Sequence, residues 1–295
     1  MRRVIALAAV MVGLAGAAHA DQPPAACPPP VLTPGPGDPA LSPCEIQRDA
    51  AVKRVAHLKI AAALGDAQAQ SDLGLMYAHG TGVGRDYVQA LHWYREAVQQ
   101  GDHGAEDNLG VMYAEGWGVV RDDAIAVSWY RRAADAGDAA GQNNLGTMYD
   151  RGLSLPKDPA RALSWYRKAA AQGLAPAQYH MGALYAAGRG VPRDDRAAVA
   201  WYGKAAVKGD PAAQFSLGTM YAHGLGVVED DARAVALYRL AADQSLAQAY
   251  NNLGLMYLQG RGVPIDKPEG LRWLGLAAAR GVPGAQANID TANGR

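Results

Sequence analysis

The sequence has 295 residues, and 49% of them are hydrophobic, which is enough for a substantial core and argues against a disordered chain. Lys and Arg together number 28, as do Asp and Glu, so no basic excess exists to neutralise phosphates and nucleic acid is not an expected partner. Phe occurs once, whereas Tyr occurs 14 times and Gly 35 times, and such selective usage indicates one pattern copied many times.

Residues 1–20 have the layout of a secretory signal peptide. Two arginines are followed by an apolar stretch over residues 4–17, and residues 18–20 form an A-x-A cleavage site. Cleavage would leave a mature chain that starts at Asp21, with a net charge of about −2. An uncleaved anchor is the alternative, but a spanning helix needs ~20 apolar residues and this stretch is shorter. We therefore expect an exported bacterial protein, periplasmic or secreted, with no membrane insertion after cleavage.

Residues 21–44 are predicted to form a proline-rich, extended N-terminal segment, because nine of the 17 prolines lie in residues 21–43. The segment contains Cys27 and ends at Cys44, and these are the only cysteines of the chain. In an oxidising compartment, a disulfide between Cys27 and Cys44 is the simplest interpretation. Lipidation of Cys27 is the alternative, although the sequence lacks the leucine that a lipoprotein signal carries three positions earlier.

A 36-residue pattern then repeats six times over residues 66–281, without insertion or deletion. Each copy has a glycine after Leu or Met, here called the repeat glycine, and a tyrosine three residues later. An aspartate follows at a constant interval, and then an aromatic pair in most copies. A pattern this regular predicts one structural unit that is copied six times. The repeat glycines are Gly74, Gly110, Gly146, Gly182, Gly218 and Gly254.

Each copy is predicted to form two helices joined by a glycine-rich loop. In the first copy, Ala69, Leu73 and Tyr77 recur at helical spacing and share one face of the first helix. The loop glycines allow a positive φ and end this helix. Asp86 is placed to cap the second helix, because its carboxylate can accept a hydrogen bond from a free backbone N–H. The small repeat glycine is expected to let neighbouring helices approach closely.

The fold class expected from this pattern is all-α, a right-handed α/α superhelical solenoid. Two helices cannot bury their own apolar faces, whereas stacked copies can. Residues 45–65 align in part with a second helix and predict an N-terminal capping helix. Residues 282–295 align in part with the start of a first helix and predict a C-terminal capping half-repeat and tail.

The repeated pattern resembles the Sel1-like repeat, a relative of the tetratricopeptide repeat. The resemblance covers about residues 65–290, and it implies a helical solenoid that acts as an adaptor in protein assemblies. A cysteine-rich branch of that family has been linked to β-lactam binding or hydrolysis, but no repeat here contains a cysteine, so that activity is not implied. In the second copy the matching residues are Ala105, Leu109, Gly110, Tyr113, Gly116, Gly118, Val119, Asp122, Ala126, Trp129, Tyr130, Ala133, Ala134 and Gly137.

The sequence offers no motif for catalysis, for a cofactor or for a metal, so none of the three is expected. The glycine loops follow a helix, whereas a dinucleotide site needs a strand before its glycines. The recurring aspartates occupy capping positions, and no histidine belongs to a metal-binding spacing. The Trp-Tyr pairs have helical spacing beside alanines, which indicates a core position rather than a ligand cage.

The candidate binding site is the concave face that the first helices would form. Three residues before the repeat glycine, the side chain varies while its neighbours repeat. Asparagines at this position could bond a peptide backbone, and aromatic residues could hold an apolar side chain. Plain surface positions that vary freely are the alternative. The predicted partner-binding residues are Ser71, Asp107, Asn143, Tyr179, Phe215 and Asn251.

The function expected from the sequence is that of an exported adaptor or scaffold that binds a protein or peptide. Two other classes stay open. The first is an enzyme acting on envelope material, such as a β-lactam hydrolase, which would need a nucleophile beside a base. The second is a purely structural spacer.

Overall fold

The computed structural model describes residues 43–294, with side chains from Glu45 onward. The proposed signal peptide at residues 1–20 lies outside the described residues, as does nearly all of the proline-rich segment. The same holds for Cys27 and for the side chain of Cys44. Signal cleavage and the disulfide between Cys27 and Cys44 therefore stay predictions.

Fourteen α-helices make up the described part of the chain, so the predicted all-α class is confirmed. Helix α1 precedes the repeats, each repeat contributes a first and a second helix, and α14 follows the last repeat. The helices are α1 (Pro43–Ala63), α2 (Ala67–His79), α3 (Tyr87–Gln99), α4 (His103–Glu115), α5 (Asp123–Asp135), α6 (Ala139–Arg151), α7 (Pro159–Ala171), α8 (Ala175–Ala187), α9 (Asp195–Val207), α10 (Pro211–Ala222), α11 (Asp231–Asp243), α12 (Ala247–Gln259), α13 (Lys267–Ala279) and α14 (Ala285–Ala292).

The contacts between helices divide the described residues into two compact units. Unit 1 comprises residues 43–147 and 153–155, and unit 2 comprises residues 148–152 and 156–294. In unit 1, the first helix α4 packs against α5 of its own repeat and against α3 of the repeat before it. In unit 2, α10 packs in the same way against α11 and α9. A first helix is therefore covered from two sides. This packing buries the faces that the two helices of an isolated repeat would leave exposed.

An aspartate caps every second helix, as the repeated pattern predicts. In the first repeat, Oδ1 of Asp86 accepts hydrogen bonds from the backbone N–H groups of Val88 and Gln89, each at 3.0 Å. These bonds satisfy donors that have no partner inside the helix. The backbone N–H of Asp86 also donates to the carbonyl of Tyr77 at 2.9 Å. One residue thus begins the second helix and closes the loop onto the first helix.

The loop between the two helices lies against the second helix of the preceding repeat. In unit 2, Gly226 has a φ of 70°, and a Cβ built on it would lie 2.4 Å from the carbonyl carbon of Asp195. Only glycine fits such an approach without moving the backbone. The third repeat carries Ser154 at the corresponding position, with a φ of 54°. This loop is the one that departs from the glycine pattern in the sequence.

The repeat glycine lies under the tyrosine of the second helix in the same repeat. A Cβ on Gly110 would lie 2.6 Å from the ring of Tyr130 in unit 1, and one on Gly182 would lie 2.6 Å from the ring of Tyr202 in unit 2. Both rings are buried. The tyrosine therefore fills the space that the missing side chain leaves, and the close approach expected from the sequence holds at both glycines.

The end of α11 departs from the other second helices in a way that stability measurements can test. Ser245 has a φ of 66° where Gly209 ends α9 with a φ of 87°. A side chain in this left-handed region is strained, so Ser245→Gly is expected to raise the free energy of unfolding by about 1 kcal/mol. The reverse change, Gly209→Ser, is expected to lower it by a similar amount. Urea denaturation of both variants checks this, and a shift of equal sign in the two would contradict it.

Candidate protein-binding surface

The six residues predicted to bind a partner lie deeper than the sequence pattern suggests. In unit 1, Ser71, Asp107 and Asn143 are only 7%, 5% and 5% exposed. In unit 2, Tyr179, Phe215 and Asn251 are half-buried. The ring of Tyr179 lies 5.7 Å from that of Tyr202, and the ring of Phe215 lies 5.6 Å from that of Tyr238. These positions therefore cover the core tyrosines instead of lying on the open side of the helix, and partner binding by them stays a prediction.

Three of the six residues also form hydrogen bonds from one repeat to the next. In unit 1, Nδ2 of Asn144 donates to Oδ1 of Asp107 at 2.9 Å. In unit 2, Nδ2 of Asn288 donates to Oδ1 of Asn251 at 3.0 Å. The side chains of Tyr179 and Ser216 are hydrogen-bonded as well. Each bond joins the residue three positions before one repeat glycine to the residue two positions before the following repeat glycine. The bonds therefore fix the register between successive first helices.

The residue four before the repeat glycine occupies the opposite flank of the first helix. In unit 2, Nε2 of Gln178 and of Gln214 donates to the carbonyl of Ala170 and of Ala206, each at 3.3 Å. These carbonyls lie in the last turn of the preceding second helix, where they also accept hydrogen bonds from the backbone N–H groups of Gly173 and Gly209. The second repeat carries Glu106 at this position, and its carboxylate pairs with Arg132 at 2.6 Å. The sequence pattern gave no sign of these contacts.

Asp107 is the charged group most affected by its surroundings in unit 1. Burial raises the pKa of its carboxyl to about 7, the hydrogen bond from Asn144 acts in the opposite direction, and the nearby charge of Asp138 raises the pKa further. The carboxyl therefore changes its protonation near neutral pH instead of remaining fully ionised.

In unit 2, His180 is a side chain whose pKa is strongly shifted by its surroundings. Its ring stacks on that of Tyr166, with the ring centres 4.7 Å apart. Burial lowers its pKa to about 4, and the positive charges of Arg151 and Arg189 contribute in the same direction. The imidazole is therefore neutral at pH 7, and it offers a polar but uncharged side chain.

A narrow stripe on the first helices stays accessible after these contacts are made. It consists of the positions two before and one after the repeat glycine, and we call it the first-helix stripe. Leu75 is the exposed apolar member in unit 1, whereas Thr147, at the same position in the third repeat, is buried. The stripe comprises Asp72, Leu75, Asn108, Val111 and Asn144 in unit 1, and His180, Ala183, Ser216, Thr219, Asn252 and Leu255 in unit 2.

The first helices differ in charge between the two units. In unit 1, neither α2 nor α4 contains a Lys or an Arg, and Asp72 and Glu115 contribute accessible carboxylates. In unit 2, α8, α10 and α12 contain no Asp, Glu, Lys or Arg at all. In unit 1 the first-helix stripe therefore carries the carboxylate of Asp72, with that of Glu115 further along α4, whereas in unit 2 it is uncharged apart from what His180 adds at low pH.

Outside this stripe, the described residues show no arrangement for metal binding or for crossing a membrane. An open surface depression in unit 2 has a volume of about 600 Å³, and Arg193 on its wall is paired with Asp195 at 2.9 Å. Within residues 43–294, no three His, Cys, Asp or Glu side chains are grouped to hold a metal ion. Among the same residues, no helix is both long and apolar enough to cross a membrane.

Comparison with known proteins identifies the repeated unit. The Sel1 repeat pattern matches residues 67–102, 104–138, 139–174, 175–210, 211–246 and 247–282. No curated protein matches the chain. The crystal structure of a protective antigen of uropathogenic Escherichia coli, which displays an SLR fold, is 37% identical with a TM-score of 0.66, and the match covers 79% of this chain but only 50% of that one.

A Sel1 repeat protein from Oxalobacter formigenes gives a similar result. It is 37% identical, with a TM-score of 0.68, and the match covers 79% of this chain and 68% of the other. The chain thus spans about half the length of the E. coli antigen and about two thirds of the O. formigenes protein. With six consecutive matches over most of its length, the chain belongs to the Sel1 repeat family.

Proposed function

We propose that the protein is an exported adaptor or scaffold that binds a protein or peptide segment through the first-helix stripe. The observation that carries this proposal is the contrast between the stripe and its surroundings. Many of the other positions of the first helices are taken up by the core tyrosines, by the preceding second helix or by bonds to the next repeat. Apart from the buried Thr147, the stripe positions keep part of their surface accessible in both units. Their residues differ from copy to copy, as they would where different parts of a partner are contacted.

The bonds between repeats support a binding role because they hold the stripe in place before a partner arrives. The Asp107–Asn144 bond in unit 1 and the Asn251–Asn288 bond in unit 2 fix neighbouring first helices relative to each other. A surface that is already ordered loses less conformational entropy on binding. Asparagine, serine and threonine side chains along it can bond the backbone of an extended segment.

The charges of the stripe indicate the kind of segment that fits. In unit 1, Asp72 lies three residues before Leu75, and Glu115, which is outside the stripe, lies four residues after Val111. One of these carboxylates, that of Asp72, is already paired with Arg54 at 2.9 Å. Complementarity favours a partner segment that brings basic and apolar residues to unit 1 and avoids acidic ones. The uncharged stripe of unit 2 suits a neutral segment.

A binding assay with matched variants tests this function. The stripe variant is Leu75→Arg/Val111→Arg, and the control is Val88→Arg/Val120→Arg, which adds the same charge at exposed valines of unit 1 outside the stripe. Wild-type protein, stripe variant and control are immobilised in parallel and exposed to envelope extract, and bound proteins are identified and quantified. We expect a partner that wild type and control retain and that the stripe variant loses by at least tenfold.

The same design applies to unit 2, where Leu255→Arg changes the stripe and Ile265→Arg changes an exposed loop residue. Circular dichroism must first establish that all variants keep the helical content of the wild type. Equal capture by stripe and control variants in both units would place the binding surface elsewhere and would overturn the proposal.

A further inference from the structure

The second helices of unit 2 carry an excess of positive charge that the first helices lack. Helices α7, α9, α11 and α13 contain nine Lys or Arg against four Asp or Glu. The corresponding helices of unit 1, α3 and α5, contain three of each. The excess is therefore specific to one half of the repeat array, although both halves follow the same 36-residue pattern.

Four exposed cations form the middle of this surface, which we call the basic face. They are Arg167 and Lys168 on α7, Lys204 on α9 and Arg239 on α11. Within the described residues, none of the four forms an ion pair with a carboxylate. The charges of Arg167, Lys168 and Lys204 are therefore available to an anionic partner, whereas the charge of Arg239 also acts on Glu269 and lowers the pKa of its carboxyl.

Two of these cations lie directly over tryptophan rings in consecutive repeats. The Nζ atom of Lys168 is 3.9 Å from the ring centre of Trp165, and that of Lys204 is 4.0 Å from the ring centre of Trp201. The tryptophans are half-buried and the lysines are exposed, so each ring supports the ammonium group of an accessible lysine. This arrangement presents charge above a layer of apolar atoms.

Exposed aliphatic side chains lie among the cations of the same helices. Val207 on α9 is 90% exposed, Leu240 on α11 is 51% exposed and Leu276 on α13 is 40% exposed. Leu240 and Leu276 occupy the repeat position that Lys168 and Lys204 occupy in the two preceding copies. The face thus combines accessible cations with accessible apolar groups and spans four successive repeats.

We propose that the basic face adsorbs to the surface of an anionic lipid bilayer. An acidic protein segment would neutralise the cations but would cover Val207, Leu240 and Leu276 only if its own apolar residues matched their positions. A bilayer surface satisfies both groups at once, because lipid phosphates pair with the cations while short aliphatic and indole groups enter the headgroup boundary.

In unit 2, the basic face and the first-helix stripe lie on different helices, so the two contacts use different residues. The protein would then hold a bound segment near a membrane surface. The proposal does not depend on the adaptor function, because lipid adsorption can be measured without the protein partner.

Co-sedimentation with lipid vesicles tests the proposal. The mature protein is mixed with vesicles of phosphatidylglycerol and phosphatidylcholine in equal parts, or of phosphatidylcholine alone, at two salt concentrations. The test variant is Arg167→Glu/Arg239→Glu. The control is Arg95→Glu/Arg131→Glu, which makes the same change at the same repeat positions on the second helices of unit 1.

We expect wild type to bind the anionic vesicles and not the neutral ones, with binding that weakens as salt rises. The test variant should bind at least tenfold more weakly, and the control within twofold of wild type. Stripe variants such as Leu75→Arg/Val111→Arg should bind vesicles no more weakly than wild type. Absence of vesicle binding, or an equal loss in the test variant and the control, would overturn the proposal. Binding to soluble poly-glutamate but not to vesicles would also overturn it and would point to an acidic protein.

Discussion

Replacing Gly182 by alanine is expected to lower the free energy of unfolding by about 2–3 kcal/mol, although alanine is the better helix former. The new Cβ would lie 2.6 Å from the ring of Tyr202, which is 6% exposed and has no space into which to move. Either the ring must leave its position or α8 and α9 must separate. Both changes disturb the packing of one whole repeat. Urea or thermal denaturation followed by circular dichroism measures the effect.

A second glycine in the same repeat provides the control. Gly203 lies in α9, directly after Tyr202 in the sequence, and a Cβ there would meet no atom within 4 Å. Gly203→Ala is therefore expected to raise the free energy of unfolding by about 0.5–1 kcal/mol through helix propensity alone. The two substitutions are chemically identical and differ only in what the added methyl group meets. If both stabilised the protein, the close contact between glycine and tyrosine would not determine the packing of the repeat.

Replacing Asp107 by asparagine is expected to stabilise the protein by about 2–4 kcal/mol at pH 8, because a shift of one pKa unit corresponds to about 1.4 kcal/mol. Burial raises the pKa of Asp107 from 3.8 to about 7 in the folded chain. Between these two values the folded protein keeps a proton that the unfolded chain releases. The contribution of Asp107 to stability is therefore most favourable below pH 4 and is lost as the pH rises to 7.

Asparagine avoids this loss because it has no charge to bury, and its side-chain oxygen can still accept the hydrogen bond from Asn144. Asn143 and Asn251 already occupy the same repeat position in other copies. The measurement is the difference in unfolding free energy between variant and wild type from pH 4 to pH 8. The other titrating groups, including His180, are common to both proteins and largely cancel in this difference. Glu115→Gln, which neutralises an exposed carboxylate on the same helix, is the control. A difference that stays constant over this pH range would contradict the prediction.

Much of the fold follows from the sequence because the repeat pattern marks each helix independently. The aspartate before each second helix, the glycines in the loop and the repeat glycine are all local signals, and the structure places each in its expected role. Ser245 shows how strong the register is. A serine adopts a positive φ there because the surrounding repeat requires that backbone, although the residue type does not favour it.

The candidate site was harder to predict, because burial of a first helix depends on two different neighbours. The helical period of a first helix shows which of its faces packs on the second helix of the same repeat. It does not show how closely the second helix of the preceding repeat covers the adjoining face. The residues three before the repeat glycine therefore looked accessible. Two of them, Asp107 and Asn251, have an asparagine 37 residues later, and this interval was a signal of their contact with the next repeat.

The bonds between successive first helices also bear on how this array can change over time. Repeat proteins gain and lose copies by duplication and deletion of whole units, which a strict 36-residue period permits. Three of these bonded pairs, however, differ in chemistry: a carboxyl with an amide at Asp107, a phenol with a hydroxyl at Tyr179, and two amides at Asn251. Moving a copy to another place in the array would bring together side chains that do not match. The copies have thus become specific to their order, and the chain is no longer an interchangeable set of units.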